Sequence, residues 1–436
     1  MGATGVGVAN KFQSVRGFND VLPADAAAWQ FLHATAAEVF AAYGYGEIRL
    51  PLLERTELFE RSIGETTDVV EKEMFTFRDR ENDSLTLRPE FTAGTVRAGL
   101  EHGLLHNQQQ RLWSAGPVFR HERPQAGRYR QFHQLNAEAY GLAGPDIDVE
   151  LIALSARLLK RLGVAGAARL ELNSLGTLEA RRKYREALIG FLQGRQAQLD
   201  ENTRRRMHQN PLRALDSKDP GTQAAVADAP SLLDFLDSES LAHFGAVKGG
   251  LDVLGIRYVV NPRIVRGLDY YSRTVFEWAT DRLGAQGTVL AGGRYDGLVE
   301  QLGGSTTPAI GWAAGVERLI MLMKETGVAL ADGAPHVYLC WLGDAERDAA
   351  MRLAEQLREA VPRLRLVLNA GGGKLPAQLK RADKCGARLA LILGEQESAR
   401  QAVQVKSLRQ MEGGSTQTEC PWAELPARLS DLLQPE

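Results

Sequence analysis

Cysteine is nearly missing from this 436-residue chain. The three present, Cys340, Cys385 and Cys420, stand far apart, with no CxxC or Cys/His spacing. That argues against a disulfide framework or a structural zinc site and fits free thiols in a reducing compartment. No apolar run approaches the ~20 residues needed to span a bilayer, so no membrane partner is expected. The opening MGATGVGVANKFQSVRG has no long apolar core, so no signal peptide is expected either. Position 6 is Val rather than Ser or Thr, which removes an N-myristoylation pattern. Net charge is close to absent: 52 basic against 54 acidic residues leave −2. The total therefore gives no hint of a polyanionic partner, and local charge has to carry that argument. Two phosphate-binding signatures are also missing. There is no GxxxxGK[ST], and AGGRYDGL (291–298) lacks GxGxxG spacing and a βαβ context. A soluble, cytoplasmic protein is expected.

What is present suits a globular protein of about three domains at ~150 residues each. Residues 24–45 are Ala-rich with apolar residues near helical spacing, and predict a helix ending at Gly44. GEIRLPLLE predicts a short strand broken by Pro51. FTFRD and LTLRPE alternate as a half-buried hairpin does, and Glu90 begins a small-residue helix. Residues 110–123 and 129–140 predict two strands joined by RPQAGR. Residues 146–163 predict an amphipathic helix and ARLELNSLG a strand. Segment 176–250 is helical in pattern and basic at its start, with nine Arg or Lys against three acids between 181 and 213. Strands return in IRYVVNP, TVFEWAT, GTVLAGG and PAIGWAAG, and VERLIMLMKETG predicts a helix. Clustered strands favour an antiparallel sheet. Beyond a small-residue linker, VYLCWL, LRLVLN and RLALILG alternate with helices, which favours a parallel or mixed sheet.

Five groups of residues carry chemistry. FRHER, a turn and RYRQFHQ crowd arginines 120, 123, 128 and 130 onto one hairpin. This is either a solvated, salt-bridged hairpin or a rigid platform whose guanidinium forks suit a phosphate. Phe132 beside them is core or a stacking surface for a flat ring. Gln134, Asn136 and Glu138 share one strand face, the outer two about 13 Å apart at ~3.3 Å per residue. Buried without partners such groups cost ~1–3 kcal/mol each, so the face is either wet or binds a polar ligand. RGLDYYSRTVFEW (266–278) puts Arg266, Asp269, Tyr270 and Tyr271 together, with Arg273 and Glu277 sharing a face farther along. AGGRYDGL has glycines that admit close backbone approach or merely turn. GWAAGVERL places Arg318 in the first turn of a helix, where the dipole does not favour a cation, so an external anion is suggested. Together these suggest a nucleotide held on an antiparallel sheet.

These segments resemble the histidyl-tRNA synthetase family of class II aminoacyl-tRNA synthetases. GPVFRHERPQAGRYRQFHQ is similar to class II motif 2 and AIGWAAGVERL to motif 3. RGLDYY and AGGRYDGL are similar to the two peptides peculiar to the histidine enzymes. RGFNDVLP (16–23) and LRPEFTAG (87–94) also match, and the likeness runs from about residue 12 to the end. It implies an α+β catalytic domain on an antiparallel sheet with flanking helices (1–175 and 251–326). It also implies a helical insertion (176–250) that touches the tRNA acceptor arm, a linker (327–335) and an α/β anticodon-binding domain (336–436). ATP with Mg2+, L-histidine and tRNA(His) are the implied partners, in a homodimer.

Roles follow at matching positions. Arg120 contacts the ATP α-phosphate and Arg318 the terminal phosphates. Phe132 stacks on adenine with Glu122 near it. Glu90, Thr92 and Gln134 hold the histidine α-amino group. Glu138 and Tyr271 bond the two imidazole nitrogens, with Tyr270 and Arg120 in the same histidine-binding set. Arg266 bridges the histidine carboxylate and the α-phosphate and is, with Arg120, the implied catalytic group. No residue is implied as a protein metal ligand. The sequence departs from the family at Phe91, where bacterial members carry glycine; its ring must point away from the ligand or the site is altered. A rival within the same fold is a histidine-sensing regulatory paralogue of a histidine-biosynthesis enzyme. Such paralogues lack the anticodon domain and lose signature residues, whereas Arg120, Arg266 and Arg318 are all present here.

Overall fold

The computed structural model describes residues 12–63, 69–125, 127–208, 211–215, 217, 219–264, 270–284, 287–330, 333–409, 417–431 and 433. They form two compact units, Met1–Leu330 and Ala331–Glu436. Among the described residues no helix is long and apolar enough to cross a membrane.

Among the described residues, eleven strands belong to the first unit. They are β1 (Gly46–Glu47), β2 (Leu53–Arg55), β3 (Phe75–Arg78), β4 (Ser84–Leu87), β5 (Gln110–Phe119), β6 (Gln131–Tyr140), β7 (Arg169–Ser174), β8 (Tyr258–Val260), β9 (Ser272–Ala279), β10 (Thr288–Arg294) and β11 (Ala309–Gly315). Eight form one sheet in the order β1-β5-β6-β11-β10-β9-β7-β8, and β2-β4-β3 form a smaller one. In the large sheet β1–β5 and β7–β8 pair in parallel, and the others are antiparallel.

The period-2 pattern of β6 decides what lies on each face of the large sheet. Leu135, Ala137 and Ala139 enter a core shared with helices Pro23–Ala42, Pro145–Arg161, Ser238–Val253 and Val316–Glu325. Those helices have clear local causes. Pro23 and Pro145 sit in the first turn, where a missing N–H costs nothing. Asp146 and Asp148 start the second helix and Lys160 and Arg161 end it, complementing its dipole. Asp237 caps the third through the Ser240 amide at 2.8 Å. The opposite sheet face carries Gln134, Asn136, Glu138 and Tyr140, all buried. There Tyr140 joins a second core with Tyr270, Tyr271 and Tyr295, which extends to Tyr184 and Leu188 of helix Leu178–Gln193.

Local departures from the sequence expectations have simple reasons. GEIRLPLLE is two strands, because Pro51 divides β1 in the large sheet from β2 in the small one. The helix after β4 begins at Thr92 rather than Glu90. Glu90 stands before it and its carboxylate accepts the Thr92 and Ala93 amides at 2.6 and 2.8 Å. Arg273 adopts φ 49°, which breaks the strand alternation, and it pairs with Glu239 at 2.6 Å rather than with Glu277.

The second unit has β12 (Val337–Trp341), β13 (Leu366–Leu368), β14 (Leu389–Leu393), β15 (Ala402–Ser407) and β16 (Gln417–Pro421), in the order β13-β12-β14-β15-β16. The first three run parallel and the last two add antiparallel pairs, so the sheet is mixed. Its core, with Leu339, Leu353, Leu391 and Val403, is its own.

Candidate active site

A cavity of about 330 Å3 opens on the polar face of the large sheet, within the ~300–1,000 Å3 range of small-molecule sites. Glu90, Thr92, Arg120, Glu122, Phe132, Gln134, Tyr270, Tyr271 and Arg318 all line it. Glu138 is not among the lining residues; it is 2% exposed and bonded to two that are, Thr92 and Tyr295. Arg266 and Asp269 lie outside the described residues. Of the four hairpin arginines, Arg120 and Arg128 line the cavity. Arg123 is exposed, and Arg130 donates to the Glu122 carbonyl at 3.3 Å.

One region of the cavity is carboxylate and phenol. Thr92 Oγ1 donates to Glu138 Oε1 at 2.8 Å, and the Tyr295 hydroxyl donates to Glu138 Oε2. Tyr295 stands edge-on to Tyr140 and Tyr270. Burial pushes the Glu138 carboxyl up to about 8, with Glu90 adding to it against the two hydroxyl bonds. Burial also raises the Glu90 carboxyl, though the helix amides it caps pull the other way. A carboxyl held near neutrality beside phenols can share a proton with a weakly basic ring.

Glycines make this region possible. Gly311 of β11 stands opposite Glu138 in the ladder. A Cβ there would strike the Glu138 carboxylate and lie 2.8 Å from the Ala137 carbonyl oxygen. Gly293 of β10 leaves room for the Tyr271 ring, 3.0 Å from where a Cβ would sit. The glycines of AGGRYDGL thus serve close packing of rings and strands.

The other region is cationic. Arg120 Nε donates to the Pro89 carbonyl at 3.0 Å, and its guanidinium lies 5.4 Å from the Phe132 ring centre. Arg318 donates to the Gly127 and Thr288 carbonyls at 3.3 and 2.7 Å. Burial lowers both guanidinium groups, and Arg128 and Arg120 lower Arg318 further. Like charges gathered in a cavity favour an anionic ligand. Glu317 holds the Arg318 helix in register with β6 by accepting the His133 amide at 2.9 and 3.0 Å. Glu122 pairs with Arg128.

Phe91 is not among the residues that line the cavity. Its side chain is 1% exposed and lies under the Arg88 guanidinium, 4.0 Å from the ring centre, away from the cavity lining. Sequence reasoning missed Tyr295. The residue sat in view inside AGGRYDGL, but no local pattern pairs it with a carboxylate 157 positions away. A second buried network also escaped it: Arg294 bonds Asp148 at 2.8 Å and Asp296 at 2.9 Å, and His243 bonds Asp148 at 3.0 Å. This network ties the end of β10 to two helices of the opposite face.

Residues 17–319 match the family model described as histidyl-tRNA synthetase, and residues 336–432 the one described as anticodon binding domain. Among solved structures, apo histidyl-tRNA synthetase of S. aureus is 32% identical, with TM-score 0.78, covering 96% of this chain and 99% of that one. Histidyl-tRNA synthetase from Nostoc sp. PCC 7120 is 22% identical, with TM-score 0.71, covering 97% and 100%. A Bacillus halodurans C protein titled ATP phosphoribosyltransferase regulatory subunit/histidyl-tRNA synthetase is 21% identical, with TM-score 0.66, covering 88% and 98%. The last two likenesses speak for the fold alone. The α+β fold on an antiparallel sheet with a C-terminal anticodon-binding domain is that of class II synthetases.

Proposed function

The chain belongs to the histidyl-tRNA synthetase family, and on that premise we propose that it is an active histidine–tRNA ligase. It joins L-histidine to tRNA(His) through a histidyl-adenylate and releases AMP and pyrophosphate. The supporting observation is one cavity with two chemistries: Tyr271, Thr92 and Tyr295 in one region, the last two bonded to the buried Glu138, and Arg120, Arg128 and Arg318 in another.

The first step joins a carboxylate to the α-phosphorus of ATP. Two anions have to meet, so repulsion is the main obstacle. Arg120 neutralises charge on the α-phosphate as the five-coordinate state forms, and Arg318 holds the departing phosphates. Arg266 stays in the proposal through the family resemblance, as the group between the two anions. The nucleophile is already ionised, so the step needs orientation rather than a base. Phe132 offers its ring face to adenine. Mg2+ would offset charge on the departing pyrophosphate, and Glu122, an oxygen donor in the cavity wall that pairs with Arg128, would be a residue able to hold it.

Histidine is selected by its ring. Glu138 and Tyr271 pair its two nitrogens, and Tyr295 holds Glu138. Another side chain would leave these buried groups unpaired, and rejection by ~10⁴ or more then needs no editing site. The unit from Ala331 onward supports anticodon reading through its family match, and the basic segment within 176–250 is assigned to the acceptor arm. A homodimer is supported by the partly exposed apolar face of the small sheet, where Leu53 is 41% and Phe77 45% exposed. The protein acts in the cytoplasm. Histidine-dependent ATP–pyrophosphate exchange tests the reading. Exchange with histidine and not with other amino acids is expected; histidine binding without exchange would instead identify a sensor.

A further inference from the structure

Burying an ion pair costs about as much in lost hydration as the pair returns, so one kept in a core points to geometry more than to stability. Arg294 and Asp148 form such a pair, with neither side chain exposed to solvent. Each guanidinium nitrogen is committed. Nε and Nη2 donate to Asp148 Oδ2 at 3.0 and 2.8 Å. Nη2 also donates to the Leu142 and Gly144 carbonyls at 3.0 and 2.9 Å, and Nη1 to Asp296 at 2.9 Å. His243 of helix Ser238–Val253 bonds the other Asp148 oxygen at 3.0 Å. The ladder shows why a clamp is useful here. From Leu290 to Gly293, β10 runs in register with β9, and at Arg294 the register slips to Ser272. A ladder disrupted in this way holds the backbone less firmly.

The next residue along the chain is Tyr295. A strand sends successive side chains to opposite faces. Arg294 reaches Asp148 of helix Pro145–Arg161 on one side, while Tyr295 lines the cavity on the other and donates to Glu138. The Tyr295 amide donates to the Ala309 carbonyl at 2.8 Å, and the Ala309 amide donates to Asp296 at 3.0 Å. Asp296, in turn, accepts from Arg294. The guanidinium therefore holds the chain on both sides of Tyr295. We propose that Arg294 is a positioning residue for histidine: anchored on Asp148, it fixes the backbone from which the Tyr295 hydroxyl keeps Glu138 in place for the ring. This rests on the reading that the cavity binds histidine. Arg294 is not among the lining residues, so its effect on the ligand passes through Tyr295. The competing account is a network that only ties the two helices to the sheet.

Calorimetric titration of the full chain with L-histidine and with ATP separates the accounts. Arg294→Lys keeps the charge and loses the planar fork. It is expected to weaken L-histidine about tenfold, as when a hydrogen bond to a charged group is lost, and ATP by less than about twofold. Tyr295→Phe removes the hydroxyl that Arg294 positions. In that background Arg294→Lys should weaken histidine by less than about threefold, because coupled residues do not add. Equal weakening of both ligands, no weakening of histidine, or a second loss as large as the first in the Tyr295→Phe background overturns the proposal. If Arg294→Lys does not fold, Asp296→Ala, which frees one arm of the guanidinium at its partly exposed partner, carries the same comparison and the same criteria. Absence of histidine binding by the unmodified protein would instead remove the histidine reading itself.

Discussion

Glu138 concentrates the chemistry of this protein at the scale of one residue. Its carboxyl is raised from 4.5 to about 8, chiefly by burial. The folded state therefore holds the proton more tightly than the unfolded chain does. The stability this confers is complete below about pH 4.5 and is lost as pH rises toward 8. Glu138→Gln keeps the shape and removes the titration. In ligand-free protein, its melting temperature relative to the unmodified chain is expected to climb from pH 5 to pH 8. A difference that stays constant across that range in thermal unfolding would count against a raised carboxyl. Phe91 makes a complementary point, since the residue that departs from the family pattern packs under Arg88 and leaves the cavity wall alone.

At the scale of the element, β6 and β11 act as a pair. The stretch QLNAEAY was legible in the sequence as a strand with one apolar and one polar face, because alternation is a local property. Its polar face could still have been wet. What decides otherwise is the register that sets Gly311 against Glu138 and brings Tyr295 to it from the next strand. Gly311→Ala is expected to destabilise the protein by about 1–3 kcal/mol, as overpacking does, and to raise the KM for histidine far more than that for ATP. Chemical denaturation and exchange kinetics measure the two effects. Retention of both values would mean that Glu138 can leave its place over Gly311 without loss.

At the scale of the whole molecule, the chain divides into two units, each with its own core. If adenylate formation belongs to the first and anticodon reading to the second, the activities separate. Deleting residues 331–436 is expected to leave histidine-dependent exchange within a few-fold and to reduce tRNA charging by orders of magnitude. Equal losses in both assays would argue that the second unit serves the chemistry itself.

The sequence alone determined the periodic elements, the missing phosphate loops, the arginine-rich hairpin and the family resemblance. All of these depend on residues near one another or on motifs read in order. Only the tertiary structure decided which arginines face the cavity, where Phe91 points, that Glu90 caps a helix it does not begin, and that Arg273 turns to Glu239. It also joined Tyr295 to Glu138 and Arg294 to Asp148. These contacts span more than a hundred residues. Strand register and helix packing create them, and no local pattern of side chains encodes either.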